Sequence, residues 1–450
     1  MIQKLFLGTL FFSICAVGYA QQNSISRSGV IQCGPLNGYA EMREAVVWIQ
    51  TKKAVSVSMM YWSKNDSSIA FHTDTIQTEK TTGYTAKLLA DEVMPGTVYE
   101  YRILINDVPV TFEYPLEFKT QMDWAYKTNP PAFKMIISSC SYINEPISDR
   151  PGEPYGGNYE IFETMASMKP DAVFWLGDNV YLRPMDWGSR TGFIHRYTHS
   201  RSIPELQKLL ATGQHFAIWD DHDFGPNDAN GSFTGETYAH EIFRLFWPNP
   251  TLMTFEGEQS IATAFDFCGI SFFALDDRSF RTENFKDSSG QVYGKAQLDW
   301  LINNLAYSRS PFKIVACGGQ ILNDAQVYEN LSNYTIEYNY LLQRIEEENI
   351  KGVIFITGDR HHSEISKLIN KKSNALWDIT CSPATSKVAV DKEEVNNLRV
   401  EKSLVAERNF AVLEFTGKQK ERVLTVTYYS VSGEELFRHT ISETEIYKRN

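Results

Sequence analysis

The chain has 450 residues, 43% hydrophobic and 22% charged, with 55 acidic against 43 basic side chains and a formal net charge of −12. That length exceeds one compact core and predicts two or three domains, while the ordinary apolar fraction excludes a disordered or fibrous chain. The acidic balance excludes a protein that gathers nucleic acid through its overall field, although local cations can still bring phosphates to it.

In chain order, residues 1–20 come first. Met1 to Lys4 is a short basic start, Leu5 to Val17 is almost entirely apolar, and Gly18-Tyr19-Ala20 offers small residues for cleavage. This pattern predicts a secretory signal peptide over 1–20 and a periplasmic or secreted mature protein. The apolar run is short for a membrane span and lacks a stop-transfer flank. Phe12-Ser13-Ile14 lacks the small residue expected before a lipidated cysteine, which argues against an anchor at Cys15. No later segment reads as a membrane span, and a monomer is expected. Five cysteines remain beyond residue 20, odd in number and far apart, so they do not form a disulfide scaffold.

Residues 24–125 read as an all-β domain. Ala45-Val46-Val47-Trp48-Ile49 and Ser56 to Trp62 are β-rich runs punctuated by turn residues. Met94-Pro95-Gly96 followed by Val98-Tyr99-Glu100-Tyr101 resembles the tyrosine corner of immunoglobulin- and fibronectin-type sandwiches. Thr128-Asn129-Pro130-Pro131 reads as an extended linker.

Over 133–450 the pattern changes to α/β. Short apolar runs end in polar clusters: Phe133 to Cys140, Ala172 to Asp178, Phe216 to Asp221, Phe312 to Cys317 and Val353 to Asp359. Amphipathic stretches at Tyr159 to Met168 and Gln297 to Leu305 lie between them, and β-rich runs at Ala411 to Phe415 and Val423 to Tyr429 close the chain. In α/β sheets, function gathers where strand C-termini open into loops. Four of these ends carry metal-type ligands: Cys140; Asp178 and Tyr181; Asp220, Asp221, His222 and Asp223; and Asp359, His361 and His362. Carboxylate, phenolate, imidazole and thiolate together suit a transition ion beside a harder cation such as calcium. Zinc-finger spacing, a G-x-S-x-G nucleophile elbow and a P-loop are all absent. Any one of these residues alone has a plainer reading as a helix cap, a turn or core. Acids this dense at buried strand ends would repel each other unless cations offset their charge.

The motifs in order resemble one family. Gly177-Asp178-Asn179-Val180-Tyr181 is similar to the G-D-N-x-Y motif of purple acid phosphatases and PhoD-like enzymes. Trp219-Asp220-Asp221-His222-Asp223 resembles the W-D-D-H-[DE] motif of the PhoD-like group. Leu275 to Arg281, Gly294 to Leu301 and Gly358-Asp359-Arg360-His361 resemble its remaining motifs. The resemblance implies a four-layer α-β-β-α metallophosphoesterase sandwich and a secreted alkaline phosphatase or phosphodiesterase acting on small or polymeric phosphoesters. It implies that Asp178 bridges two metals. Cys140, Tyr181 and His361 would hold Fe3+, and Asp221 and Asp359 would hold Ca2+. His222 would face the phosphate, Asn179 would contact it or orient Asp221, and Arg278 and Arg281 are phosphate clamps or, equally, buried ion pairs. A phospholipase D-like diesterase and a binding protein with a vestigial site are the competing readings. Gly319 departs from many members of the family, which carry Asn there. Asn227 and Asp228, which extend the acidic run, read as a turn rather than as ligands to an extra calcium.

Overall fold

The computed structural model describes residues 25–285, 289–391 and 394–447, so the signal peptide expected over 1–20 lies outside the described residues. Between residues 25 and 119 the β-rich runs form two sheets. Ala45–Thr51 pairs antiparallel with Ile31–Ala40 and with Thr85–Ala90, making a three-stranded sheet. Ser56–Ser63 and Val98–Ile105 pair antiparallel within a seven-stranded one. Val47 and Ile49, Val57 and Met59, Ala86 and Leu88, and Tyr101 and Ile103 meet between the sheets, the period of two that places alternate residues on one face. The Tyr99 hydroxyl accepts the Met94 N–H at 2.8 Å, so the Pro95-Gly96 turn is tied back as the tyrosine spacing predicts. These strands build the β-sandwich expected of the first part of the chain.

The opposite face of the three-stranded sheet is also dry. Cys33, Leu36 and Trp48 belong to the main core of the remainder of the chain. The Trp48 indole donates to the Leu245 carbonyl at 2.8 Å and packs 5.5 Å from the Phe246 ring. Gln214 Oε1 accepts the Ala40 N–H at 2.8 Å, which fastens the sandwich to one edge of the central sheets. The Pro130-Pro131 spacer is likewise held, because Arg422 donates to both proline carbonyls.

From Phe133 onward two six-stranded sheets lie face to face. In the first, Gln214–Ile218, Ala172–Leu176 and Phe133–Ser138 run parallel, and Asn409–Thr416, Val423–Ser430 and Glu435–Ser442 continue antiparallel. In the second, Ile270–Ala274, Lys313–Ala316, Val353–Thr357 and Ala375–Thr380 run parallel between antiparallel edges Thr263–Phe267 and Glu364–Ile369. The parallel strands are mostly apolar and almost wholly buried because both of their faces are covered. On the inner faces, Phe174 stacks with Phe265 and Phe272 across the gap. On the outer face of the first sheet, Trp175 meets Phe162 of the helix Ile161–Ser167. On the outer face of the second, Phe273, Val315 and Phe355 pack with Leu298 and Leu301 of Lys295–Tyr307 and Leu341 and Ile345 of Thr335–Glu347. The result is the four-layer α-β-β-α order.

Truncating Phe174 opens the dry seam between the two sheets. Phe174→Ala should cost about 3–5 kcal/mol of stability. Denaturant unfolding of the purified variant checks this, and a loss below about 1 kcal/mol would mean that the sheets close over the cavity.

Candidate metal centre at the strand ends

The parallel strands of both sheets deliver their C-terminal ends to one edge of the molecule. Cys140, Asp178, Asp220 and Asp359 each lie two residues past the last residue of a strand. Cys140, Asp178 and Asp359 take left-handed backbone angles there, with φ of 57°, 52° and 65°, as does His361 at 57°. Such angles are costly for residues with a Cβ and cluster at functional sites, where the surrounding structure enforces them. Close approach of the strand ends enforces them here. At Gly177 a Cβ would lie 2.6 Å from Asp220 Cβ. At Gly318 it would press onto the Asp277 carboxylate and lie 2.7 Å from Asp220 Cγ.

The turns bring together residues far apart in sequence. Ligand atoms of Cys140, Asp178 and His361 all lie within 4.8 Å of one another, and so do those of Asp178, Asp221 and His222. Asp178 belongs to both groups. The Tyr181 hydroxyl lies 3.2 Å from His361 Nε2, beside the first group, and its ring is 4.3 Å from that of His222. Asp359 accepts a weak hydrogen bond from Cys140 Sγ at 3.6 Å through its backbone carbonyl; its carboxyl belongs to neither of these close groups, although the charges of Glu329 and Asp221 act on it. A third acidic group joins Asp220, Asp221 and Glu329.

The arginines are buried among these acids. Arg278, wholly buried, donates to Asp220 Oδ1 through Nε at 2.8 Å and through Nη2, to Glu329 Oε2 at 2.6 Å and to the Ala229 carbonyl at 3.2 Å. Arg281 pairs with Glu329 at 2.5 Å. Both guanidinium groups are thus in the ion-pair arrangement and are engaged by protein acids in this structure. Asn179 donates its side-chain amide to the Ile218 carbonyl at 2.8 Å, while its Oδ1 is buried without a partner. Its backbone N–H is held by Asp223, which also accepts the Asp220 N–H and so braces two ligand-bearing turns at once. Asp228 donates its N–H to Asp221 Oδ2 at 2.7 Å, consistent with the turn expected there.

Charge is the difficulty of this site. Burial, then the negative charges of Asp221, Asp223 and Asp359, pushes the Asp178 carboxyl far above its ordinary range. Burial, then Glu329 and Asp221, raises Asp359 to about 7. Asp221 is the exception: burial would raise it, but the positive charges of His222 and Arg278 and the Asp228 N–H outweigh that and hold it at about 2. Burial, then the positive charge of His222, lowers His361 to about 4, so its imidazole is neutral and able to ligate. Burial, followed by nearby carboxylates, pushes the Cys140 thiol and the Tyr181 hydroxyl well up. Asp178 Oδ1 is buried with no hydrogen-bond partner. A bound cation would favour the ionised forms of the raised carboxylates, thiol and phenol and would offset the charge at the unpartnered oxygen. The donor set therefore fits bound metal.

Several residues at the site carry no sequence signal of their own. Ser382 Oγ donates to Cys140 Sγ at 3.1 Å, Ser386 Oγ lies 3.4 Å from His361 Nε2, and the Tyr155 hydroxyl is 3.3 Å from His361 Nδ1. Glu329 reaches the acids from an irregular loop. Serines and a tyrosine in loops are unremarkable by type, and only the placement of the loops distinguishes them. The five cysteines beyond residue 20 are free, in keeping with their odd count.

Comparison with known proteins places this geometry. The profile of the PhoD-like phosphatases matches residues 135–427, and residues 29–122 match a family described as a domain of unknown function (DUF7800). Alkaline phosphatase D of Bacillus subtilis (strain 168) is 23% identical over 327 residues, which is 62% of this chain and 53% of that protein. The chain thus spans about half the length of that relative. A solved structure of PhoD superposes with a TM-score of 0.72 at 18% identity, covering 93% of each chain. The purple acid phosphatase PPD1 from yellow lupin seeds superposes with a TM-score of 0.63 at 12% identity, covering 91% of this chain and 74% of that one.

The crowding at Gly318 has a measurable consequence. Gly318→Ala should cost about 1–3 kcal/mol, because Asp220 is held by Arg278 and cannot withdraw from the added methyl. Gly319→Ala, whose Cβ would meet only the Glu329 carbonyl at 3.5 Å, should fall within about 0.5 kcal/mol of the parent. Thermal unfolding of the pair tests the contrast, and equal stabilities would refute it.

Proposed function

Since the chain belongs to the PhoD-like phosphatase family, we propose that it hydrolyses phosphomonoesters or phosphodiesters outside the cytoplasm, using two metal ions. The export part of this reading rests on the sequence pattern of residues 1–20 alone. The single observation that carries the catalytic part is that Asp178 is common to two compact ligand groups. Cys140, Tyr181 and His361 would complete an Fe3+ site, since thiolate and phenolate stabilise its charge, and Asp221 and Asp359 a Ca2+ site. When bound, such a pair supplies the positive charge that activates water and offsets the charge of the phosphoryl oxygens.

The chain's own groups divide the remaining work. His222 is partly exposed, at the edge of the second group, and is the side chain best placed to give a proton to the leaving oxygen. Its ring nitrogen lies within 4.8 Å of carboxylate oxygens of Asp178 and Asp221, beside the proposed metal ligands. Asn179 braces the Asp178 turn through the Ile218 carbonyl, which supports a positioning role, and its unpartnered Oδ1 faces a cation more readily than a phosphate. Arg278 and Arg281 offset the charge of Asp220 and Glu329 and so hold the floor of the site. The β-sandwich over 24–125 is assigned a buttressing role, because one of its sheets is buried against the catalytic portion, here taken as 133–450.

Asp178→Asn should leave circular dichroism unchanged while lowering metal content and cutting aryl phosphate hydrolysis by at least about a hundredfold, since even outer-shell changes at metal sites cost up to that much. Elemental analysis of the natively purified protein and an assay with p-nitrophenyl phosphate give the two readouts. Retained hydrolysis in this variant would sink the two-metal reading. His222→Ala should lose roughly a hundredfold or more in kcat on alkyl phosphates, and far less on p-nitrophenyl phosphate, whose leaving group needs no proton. Equal losses on both would remove His222 from the acid role.

A further inference from the structure

The loop after the strand Ala375–Thr380 wraps the ligand-bearing turns. Ala384 N–H donates to the Ser139 carbonyl at 2.9 Å, Thr385 and Ser386 N–H groups donate to the Cys140 carbonyl at 3.3 and 3.2 Å, and Ala389 N–H donates to the His361 carbonyl at 3.0 Å. The backbone is therefore fixed on both sides of Lys387, yet the Lys387 side chain is exposed. Its ammonium makes no hydrogen bond or ion pair with any described residue and lies 5.8 Å from the centroid of the Tyr155 ring. That ring carries the hydroxyl that sits 3.3 Å from His361 Nδ1. Arg408 cannot serve in its place, because its guanidinium is spent on the Ser386 carbonyl at 2.9 Å, on the Tyr155 carbonyl at 3.4 Å and on Asn158. From Lys387 an open depression leads away, lined among others by Asn158, Glu160, Val388, Glu407 and Arg408.

We propose that Lys387 binds a second anionic group of the phosphoester substrate, on the part of the molecule that is not attacked, with the Tyr155 ring between that group and the scissile phosphate. The inference rests on the phosphoester reading above. An ammonium with no hydrogen bond or ion pair to any described residue, in a protein of net charge −12, is an attractive point for an anion. The depression beyond it carries carboxylates of its own at Glu160 and Glu407, which disfavour a long run of negative charge. The expected ligand is thus a phosphoester with one further carboxylate or phosphate, rather than a polyanion.

The test uses the intact metal-loaded protein and a short series of alkylphosphonates, each with and without a terminal carboxylate, with affinities read by calorimetry. In the parent protein the best-fitting carboxylate should improve affinity by about threefold at low salt, the scale of an exposed ion pair, and the gain should fade as salt is added. Lys387→Ala should bring the ratio of carboxylated to plain ligand to about one, and Lys387→Arg should keep it. A parent ratio near one across the series, or a ratio that survives Lys387→Ala, overturns the proposal. If the plain alkylphosphonates do not bind the metal-loaded parent, the phosphoester reading itself fails, and the proposal falls with it.

Discussion

The close packing of carboxylates at buried strand ends is the constraint on which the rest of this structure depends. Asp178, Asp220 and Asp221 are all buried, and Asp359 and Glu329 stand at their margin. Removing one ionised carboxylate from water costs several kcal/mol even after relaxation, and neighbours of like sign add to it. The protein offsets part of this charge itself. Arg278 neutralises Asp220 and, with Arg281, Glu329, while backbone N–H groups satisfy Asp221 and Asp223. Asp178 Oδ1 is left buried without a hydrogen-bond partner, as are Asp220 Oδ2 and both carboxylate oxygens of Asp277, and a positive charge from outside the chain is favourable there. Arginines, N–H donors and the ligand-bearing acids thus form one charge balance, and each element makes sense only beside the others.

The backbone pays for this arrangement with strain. Three of the proposed ligands, Cys140, Asp178 and Asp359, occupy the same offset past their strands and the same left-handed region, and His361 adds a fourth left-handed residue. Each would relax to a commoner geometry if its turn were free. The turns are not free: Ser141 N–H donates to the Asp178 carbonyl, Gly358 N–H to the Gly318 carbonyl, and the 384–389 loop clasps Cys140 and His361. Behind them stand two apolar sheets and, at one edge, a β-sandwich whose Trp48 is built into the same core. Rigidity at the strand ends is therefore supplied from a distance by packing.

Much of this was legible beforehand. The continuous apolar runs Ala172–Leu176 and Val353–Thr357 announce strands buried on both faces, and the polar cluster after each announces a site, because a parallel sheet exposes little but its strand ends. The Tyr99 and Tyr101 alternation marks the sandwich for a similar reason, since period two divides a core face from a second face. Other elements were harder to read. Glu364–Ile369 and Ala375–Thr380 carry mixed polar and apolar residues, and their pairing is decided by the neighbours they meet. Ser382, Ser386, Tyr155 and Glu329 lie in irregular segments, where neither periodicity nor residue type distinguishes a side chain at a metal centre from one in water.

By itself the sequence determined the class of fold, the order of its two parts, and which residue types stand at the strand ends, because these follow from local pattern and spacing. Only the tertiary structure decided that His222 joins Asp178 and Asp221 in one close group, that Arg278 is committed to Asp220 and Glu329, and that Lys387 stands at the rim with no hydrogen bond or ion pair to any described residue. Those facts depend on distances between residues tens to hundreds of positions apart. Such distances are set by how sheets stack and loops cross, and electrostatics acts through them rather than along the chain.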